Sequence, residues 1–219
     1  KSKSLSIIIP TYNEEKNVSL IFNALCNELK DYNLQIIFID DGSKDSTLNE
    51  IKKLVSLNTN VNFISFSRNF GHQKALMAGF HVAKGDAVIS MDCDMQHPVK
   101  VIKQLIKEWQ NGNDIVYSVR VDKNITFFKK ATARLFYKII NLLSDTKIEQ
   151  GTADFRLLDK KVVNQLKKIN ELHIFYRGII PWVGYKSKSI EYLAEDRANG
   201  VSKYTFTKMM NFAFDGIIS

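Results

Sequence analysis

Cysteine, long apolar runs, glycine-rich phosphate loops and acidic residues are all in short supply in this chain. Only Cys26 and Cys93 occur in 219 residues. Their placement fits no disulfide or zinc framework, which argues against a cystine-stapled fold and suits a reducing compartment. No run of about 18 apolar residues occurs, so no stretch of the sequence reads as a bilayer span. Neither G-x-x-x-x-G-K-[ST] nor G-x-G-x-x-G is present, so bound phosphate would have to be held by metal and side chains. No signal-peptide pattern is expected, since Lys1 to Ser4 lead straight into a strand. Acid is outnumbered, 23 Asp and Glu against 31 Lys and Arg, for a net charge of +8. Six basic residues and one acid fall between Arg120 and Ile140, contributing +5 of that excess. Such concentration points to an anionic partner: phospholipid headgroups, a phosphorylated acceptor or nucleic acid.

Apolar residues make up 45% of the chain, enough to bury one domain, with or without an appendage, and to make disorder a poor reading. Strand and helix patterns alternate. Strands are predicted over Leu5–Pro10, Leu34–Ile39, Val61–Ser67, Ala87–Met91 and Asp114–Ser118, with helices between them, the first capped by Asn13 and running to Leu29. This alternation predicts an α/β fold with a mostly parallel sheet covered by helices on both faces. The second half reads differently. Gln150–Leu158 is expected to be a loop running into a short strand, Lys160–Ile169 a helix and Ser187–Leu193 a strand. Thr126–Leu143 is predicted as an amphipathic helix, with Phe127, Ala131, Leu135, Ile139 and Leu143 every four residues beside a stripe of Lys130, Arg134 and Lys138. Such a stripe serves either as a solvated face or as a membrane-surface contact.

The chemistry concentrates at Asp92-Cys93-Asp94-Met95-Gln96-His97-Pro98. An apolar strand delivers two carboxylates one residue apart where Pro98 starts a helix. Two acids after a strand also serve as a solvated turn or helix cap. As ligands, with the Gln96 amide, they supply hard oxygens suited to Mg²⁺ or Mn²⁺, ions that keep waters and borrow oxygens from a substrate diphosphate. A second strand ends in acids at Asp40-Asp41-Gly42-Ser43. In parallel α/β sheets such strand ends form the ligand crevice.

Five motifs occur in register: Ile7-Ile8-Ile9-Pro10-Thr11-Tyr12-Asn13-Glu14, Asp40-Asp41-Gly42-Ser43, Ser67-Arg68-Asn69-Phe70-Gly71, the Asp92 to Pro98 stretch, and Arg197-Ala198-Asn199-Gly200-Val201-Ser202-Lys203-Tyr204. In this order they resemble the family-two inverting glycosyltransferases. More narrowly, they resemble the polyprenyl-phosphate group, which includes dolichol-phosphate mannose synthase and the bactoprenol glucosyltransferases. The resemblance implies a GT-A type, Rossmann-like fold over about 1–200, with 201–219 as a juxtamembrane helix. It also implies a nucleotide-sugar donor such as a UDP-sugar, a divalent metal, and polyprenyl (undecaprenyl) phosphate as acceptor at the cytoplasmic face of the membrane. The apolar pattern over 212–219 is expected to lead into membrane helices. His97 departs from the pattern, since family members often carry Asp there.

By the same resemblance, Pro10, Tyr12, Glu14 and Asp41 line the nucleoside pocket, although Glu14 also suits a helix first turn. Gly71 allows close backbone approach, with Lys74 reaching phosphate or base. Asp94 and Gln96 ligate the metal, with Asp92 near the ribose or the metal's waters. Arg120, Arg134, Arg197 and Lys203 are candidates for clamping the acceptor phosphate and the departing diphosphate, guanidinium forks matching phosphate oxygens. Asp154 is the usual candidate base, yet a phosphate monoester with a second pKa of about 6 is already anionic at neutral pH, so orienting the acceptor is the other role open to it. The Gln-x-x-Arg-Trp signature of processive synthases is absent. Transfer to a polysaccharide or protein, nucleotidyl transfer and a non-catalytic anionic-membrane-binding module remain alternatives. Nucleic acid is disfavoured because aliphatic residues interrupt the basic stripe and no nucleic-acid module appears. Oligomeric state is left open, a homo-oligomer included.

Overall fold

The computed structural model describes residues 3–121, 152–169 and 176–193. Four strands, β1 (Ser4–Thr11), β2 (Asn33–Asp40), β3 (Val61–Ser65) and β4 (Ala87–Ser90), alternate with helices α1 (Val18–Glu28), α2 (Thr47–Leu57) and α3 (His72–Val82). Then come α4 (Val101–Gln110), β5 (Ile115–Val121), β6 (Thr152–Asp159), α5 (Lys160–Leu166), α6 (Tyr176–Trp182) and β7 (Ser187–Leu193). The strands form one sheet in the order β3-β2-β1-β4-β6-β5-β7.

The period-two side-chain alternation of the strands sorts the core into two layers. Leu5, Ile7 and Ile9 of β1 pack with Ile36, Phe38 and Ile89 under α1, α2 and α4, whereas Ile8, Ile37, Ile39 and Val88 pack under α3, α5 and α6. Strands buried on both faces lack polar alternation, which is why Ser4–Thr11 reads as a nearly continuous apolar run. Gly79 lets α3 lie directly on β1, because a Cβ there would overlap the Ile8 side chain.

One strand breaks the parallel order. β6 runs antiparallel to both β4 and β5, with Ser90 opposite Arg156 and Val116 opposite Leu157. Its amino end therefore lies at the same edge of the sheet as the carboxyl ends of the parallel strands. Instead of the expected loop and short strand, β6 has eight residues, and α6 is a helix the sequence pattern did not announce. Asn13 does not cap α1. The helix begins at Val18, while Asn13 adopts a left-handed φ of 53° and accepts from Lys44 N at 2.8 Å. No helix among the described residues is long and apolar enough to cross a membrane. The interface helix expected over 126–143 and the juxtamembrane segment over 201–219 lie outside the described residues.

Gly42 joins the strand ends. Its φ is +69°, and a Cβ there would press on the Arg68 backbone. Gly42→Ala should cost about 1–3 kcal/mol, since both the left-handed φ and the backbone contact resist a side chain. Urea unfolding followed by circular dichroism should show a lower midpoint with an unchanged slope. An unaltered midpoint would mean that the two loops do not meet as described.

Candidate active site

The ends of β1 and β2 are stitched together by reciprocal loop contacts. Asp41 N donates to Thr11 O at 2.8 Å, Thr11 Oγ1 to Ile39 O at 3.0 Å, Asn13 N to Ser43 Oγ at 3.0 Å and Glu14 N to Thr47 Oγ1 at 2.7 Å. Pro10, Tyr12 and Glu14 are half-buried along this edge, and the Glu14 carboxylate accepts from Asn17 Nδ2 at 2.6 Å. Asp40 is a structural acid, accepting from Ser43 N and Ser65 Oγ. Asp41 accepts from Phe70 N at 2.7 Å through one oxygen and from Gly71 N at 3.0 Å through the other. Burial raises its carboxyl above the ordinary value despite those two donors. Asp41 thus pins the 66–71 loop over the end of β2 and sets Gly71 and Lys74 at the start of α3.

Past β4 the chain turns sharply. Met95 is left-handed at φ 63°, and Asp94 Oδ1 accepts from Gln96 N at 3.1 Å. Asp94 is 9% exposed, while the Asp92 side chain, 43% exposed, opens to the crevice. Asp92 lies between two imidazoles, with Oδ2 3.1 Å from His97 Nε2 and Oδ1 3.9 Å from His72 Nδ1. Burial pushes its carboxyl up, but the His97 hydrogen bond and the two neighbouring imidazoles hold it at about 2.

Beyond His72 lies Asp154. His72 Nε2 is buried, makes no hydrogen bond among the described residues, and stands 3.5 Å from Asp154 Oδ2. Burial pushes the His72 imidazolium down, but Asp154 and Asp92 outweigh it and hold it above its ordinary value. Asp154 is 7% exposed and is gripped by two guanidiniums. Arg177 donates Nε to Oδ1 at 3.1 Å and Nη2 to Oδ2 at 2.8 Å, and Arg156 donates Nη2 to Oδ1 at 2.9 Å. Burial works to raise the Asp154 carboxyl, yet Arg177, His72 and Arg156 hold it well below the usual carboxylate range. Ser90 Oγ donates to Asp154 O at 2.6 Å, fixing β6 against β4 at this point.

The fold therefore brings Asp92, Asp94 and Asp154 to one crevice with the edge that carries Tyr12, Glu14 and Asp41. Arg120, at the exposed end of β5, pairs in register with Tyr192 of β7. Arg134, Arg197 and Lys203 lie outside the described residues. His72, Arg156, Arg177 and Tyr192 escaped the sequence reading. Two of them carried a signal: Arg156 lies two residues past Asp154, on the same face of a strand, and Arg177 interrupts an apolar run, where a charge demands a partner.

Among the described residues, no three acids, histidines or cysteines converge as a metal cage. The donor set suits an ion that needs none. Two hard carboxylates at a strand end fit Mg²⁺ or Mn²⁺, which takes the rest of its ligands from water and phosphate.

Residues 6–167 match the family model described as glycosyl transferase family 2. The bactoprenol glucosyl transferase of Shigella phage SfV is 41% identical over 98% of this chain and 71% of its own length. The prophage bactoprenol glucosyl transferase homolog of Escherichia coli K12 is 40% identical over 98% and 71%. Solved structures have the same fold at much lower identity. The mannosyltransferase PcManGT from Pyrobaculum calidifontis, in complex with GDP-Man and Mn²⁺, superimposes with a TM-score of 0.64 at 15% identity over 91% of this chain and 58% of that one. Glucosyl-3-phosphoglycerate synthase from Mycobacterium tuberculosis, in complex with Mn²⁺, UDP and glucosyl-3-phosphoglycerate, gives 0.60 at 14% identity over 99% and 77%. The matched span contains every strand of the crevice except β7, and the chain belongs to glycosyl transferase family 2, with bactoprenol glucosyl transferases among its relatives.

Proposed function

We propose that this chain is an inverting, metal-dependent hexosyltransferase that moves a sugar from a UDP-sugar to polyprenyl phosphate at the cytoplasmic face of the cell membrane. The product is a lipid-linked sugar for cell-envelope glycosylation. The observation that carries this reading is the 41% identity, over nearly the whole chain, to a bactoprenol glucosyl transferase. The GDP-Man and UDP complexes with Mn²⁺ on the same fold support a nucleoside diphosphate donor and a divalent ion.

In this reading the nucleoside lies across the ends of β1 and β2, along Pro10, Tyr12, Glu14 and Asp41, with Gly71 and Lys74 beside the diphosphate. Asp94, Asp92 and Gln96 would hold the divalent ion. When bound, that ion acts as a Lewis acid that neutralises the departing diphosphate. An acceptor phosphate arrives already anionic, its second pKa being about 6, and needs no base. Asp154 would be a feeble base in any case, since Arg177 and Arg156 stabilise its ionised form. Its part is to anchor Arg177 and His72, which present positive charge towards the acceptor. Arg120, Arg134, Arg197 and Lys203 would complete the clamp on the acceptor phosphate and the leaving diphosphate. The acceptor oxygen then displaces the diphosphate in line at the anomeric carbon. Positioning and preset charge supply most of the rate. The basic, apolar stretches over 126–143 and 203–218 would lie against headgroups while the acceptor's tail stays in the bilayer.

The assay that tests this is a panel of UDP- and GDP-sugars offered with undecaprenyl phosphate and Mn²⁺, read as lipid-linked product. One UDP-hexose should give product, and glycosylation of a soluble acceptor without any lipid product would overturn the proposal. Asp94→Asn should lower kcat/KM by about a hundredfold or more while leaving thermal unfolding of the metal-free protein nearly unchanged. Full turnover in that variant would remove Asp94 from the metal site. Asp154 has a folded-state pKa below its unfolded value, so its ion pairs add stability above the unfolded value, near 4, which is lost as pH falls through the folded one. Arg177→Met should therefore cost about 2–3 kcal/mol at neutral pH, less than loss of a whole buried pair because Arg156 remains, and the deficit should shrink only below about pH 4, being smaller near pH 2. Urea unfolding at neutral and at the lowest of these pH values measures it, and a pH-independent deficit would argue against the ion pair.

A further inference from the structure

His97 lies on the loop between β4 and α4 and is 7% exposed. Both ring nitrogens are engaged, Nε2 with Asp92 Oδ2 at 3.1 Å and Nδ1 with the Tyr192 hydroxyl at 2.9 Å. The ring leans on Phe155, centroids 4.9 Å apart at 32°, and Tyr192 meets Phe155 edge-on at 5.9 Å and 87°. The imidazole is thus held in its plane by an aromatic wall and along its axis by two hydrogen bonds.

An ionised carboxylate only accepts, so Nε2 carries the hydrogen that faces Asp92, and the Tyr192 hydroxyl, able to donate or accept, pairs with Nδ1 in either state of the ring. A buried imidazole needs a hydrogen-bond partner at each nitrogen, and Tyr192 supplies one of the two. Here the second bond goes to an acid of the D-x-D pair that opens to the crevice. Groups one layer behind a metal site commonly act this way, setting the rotation of a ligand they touch.

We propose that His97 is a positioning residue for the donor site: it commits Asp92 Oδ2 and so aims Oδ1 at the crevice, while Tyr192, reaching across from β7, aims His97. This inference rests on the reading above, in which Asp92 meets the ion and the nucleotide. It makes β7, the one crevice strand outside the family match, a contributor to donor binding.

The test is calorimetric titration of Mn²⁺ into the whole protein at saturating UDP, on wild type, His97→Leu, His97→Gln and Tyr192→Phe, with thermal unfolding of each. Leucine fills the space without a donor, whereas glutamine can still donate to Asp92. His97→Leu should weaken Mn²⁺ binding about tenfold or more, and glutamine should restore most of it. Tyr192→Phe, which loses one hydroxyl, should weaken binding about threefold and carries the test by itself if His97→Leu does not fold. Unchanged affinity in folded His97→Leu or in Tyr192→Phe overturns the proposal, as does a glutamine variant no better than leucine. Should wild type itself fail to bind Mn²⁺ with UDP, the donor reading falls and takes this inference with it.

Discussion

A carboxylate as deeply buried as that of Asp154 stays ionised because two guanidiniums and the His72 imidazole face it. Arg156 comes from the same strand and Arg177 from α6, so the ion cluster ties a sheet strand to a helix that follows it. Desolvating these charges is expensive, and a buried charge left without any partner costs about 3–5 kcal/mol, which is why two guanidiniums on one carboxylate matter. The arrangement exists only if β6 runs against its neighbours. Were it parallel to β4, Asp154 would sit at the opposite edge of the sheet from Asp92 and Asp94.

From that cluster a chain of opposed charges and hydrogen bonds crosses the crevice. It passes from Arg177 to Asp154, His72, Asp92 and His97, and ends at Tyr192. Five segments contribute: α6, β6, the start of α3, the loop after β4, and β7. Each acid lies between cationic or hydrogen-bonding neighbours, so orientation is set before any ligand arrives. Electrostatic stabilisation of a charged transition state is effective when the dipoles and charges need not reorganise. For phosphate attacking a sugar that leaves behind a diphosphate, preset charge is what the reaction demands most.

Much of this was legible in the sequence, for identifiable reasons. Strands buried on both faces gave unbroken apolar runs, and their alternation with helices predicted the sheet. The carboxylates at 92 and 94 announced themselves because both fall on one turn after a strand. The direction of β6 was not legible, since apolar residues such as Phe155, Leu157 and Leu158 fit a strand of either sense. Tyr192 carried no signal within its alternating strand, because its hydroxyl's partner lies 95 residues away. Asp41 read as a nucleoside ligand, while its two oxygens also hold the 66–71 loop by backbone N–H groups that no side-chain motif reveals.

A crystal structure of the protein with UDP and Mn²⁺ would locate the donor site outright. The ion is expected on Asp94 beside Asp92, with the nucleotide laid across the ends of β1 and β2 and its diphosphate turned towards the Asp154 cluster. An ion that avoids both aspartates, or a nucleotide seated away from these strand ends, would contradict it.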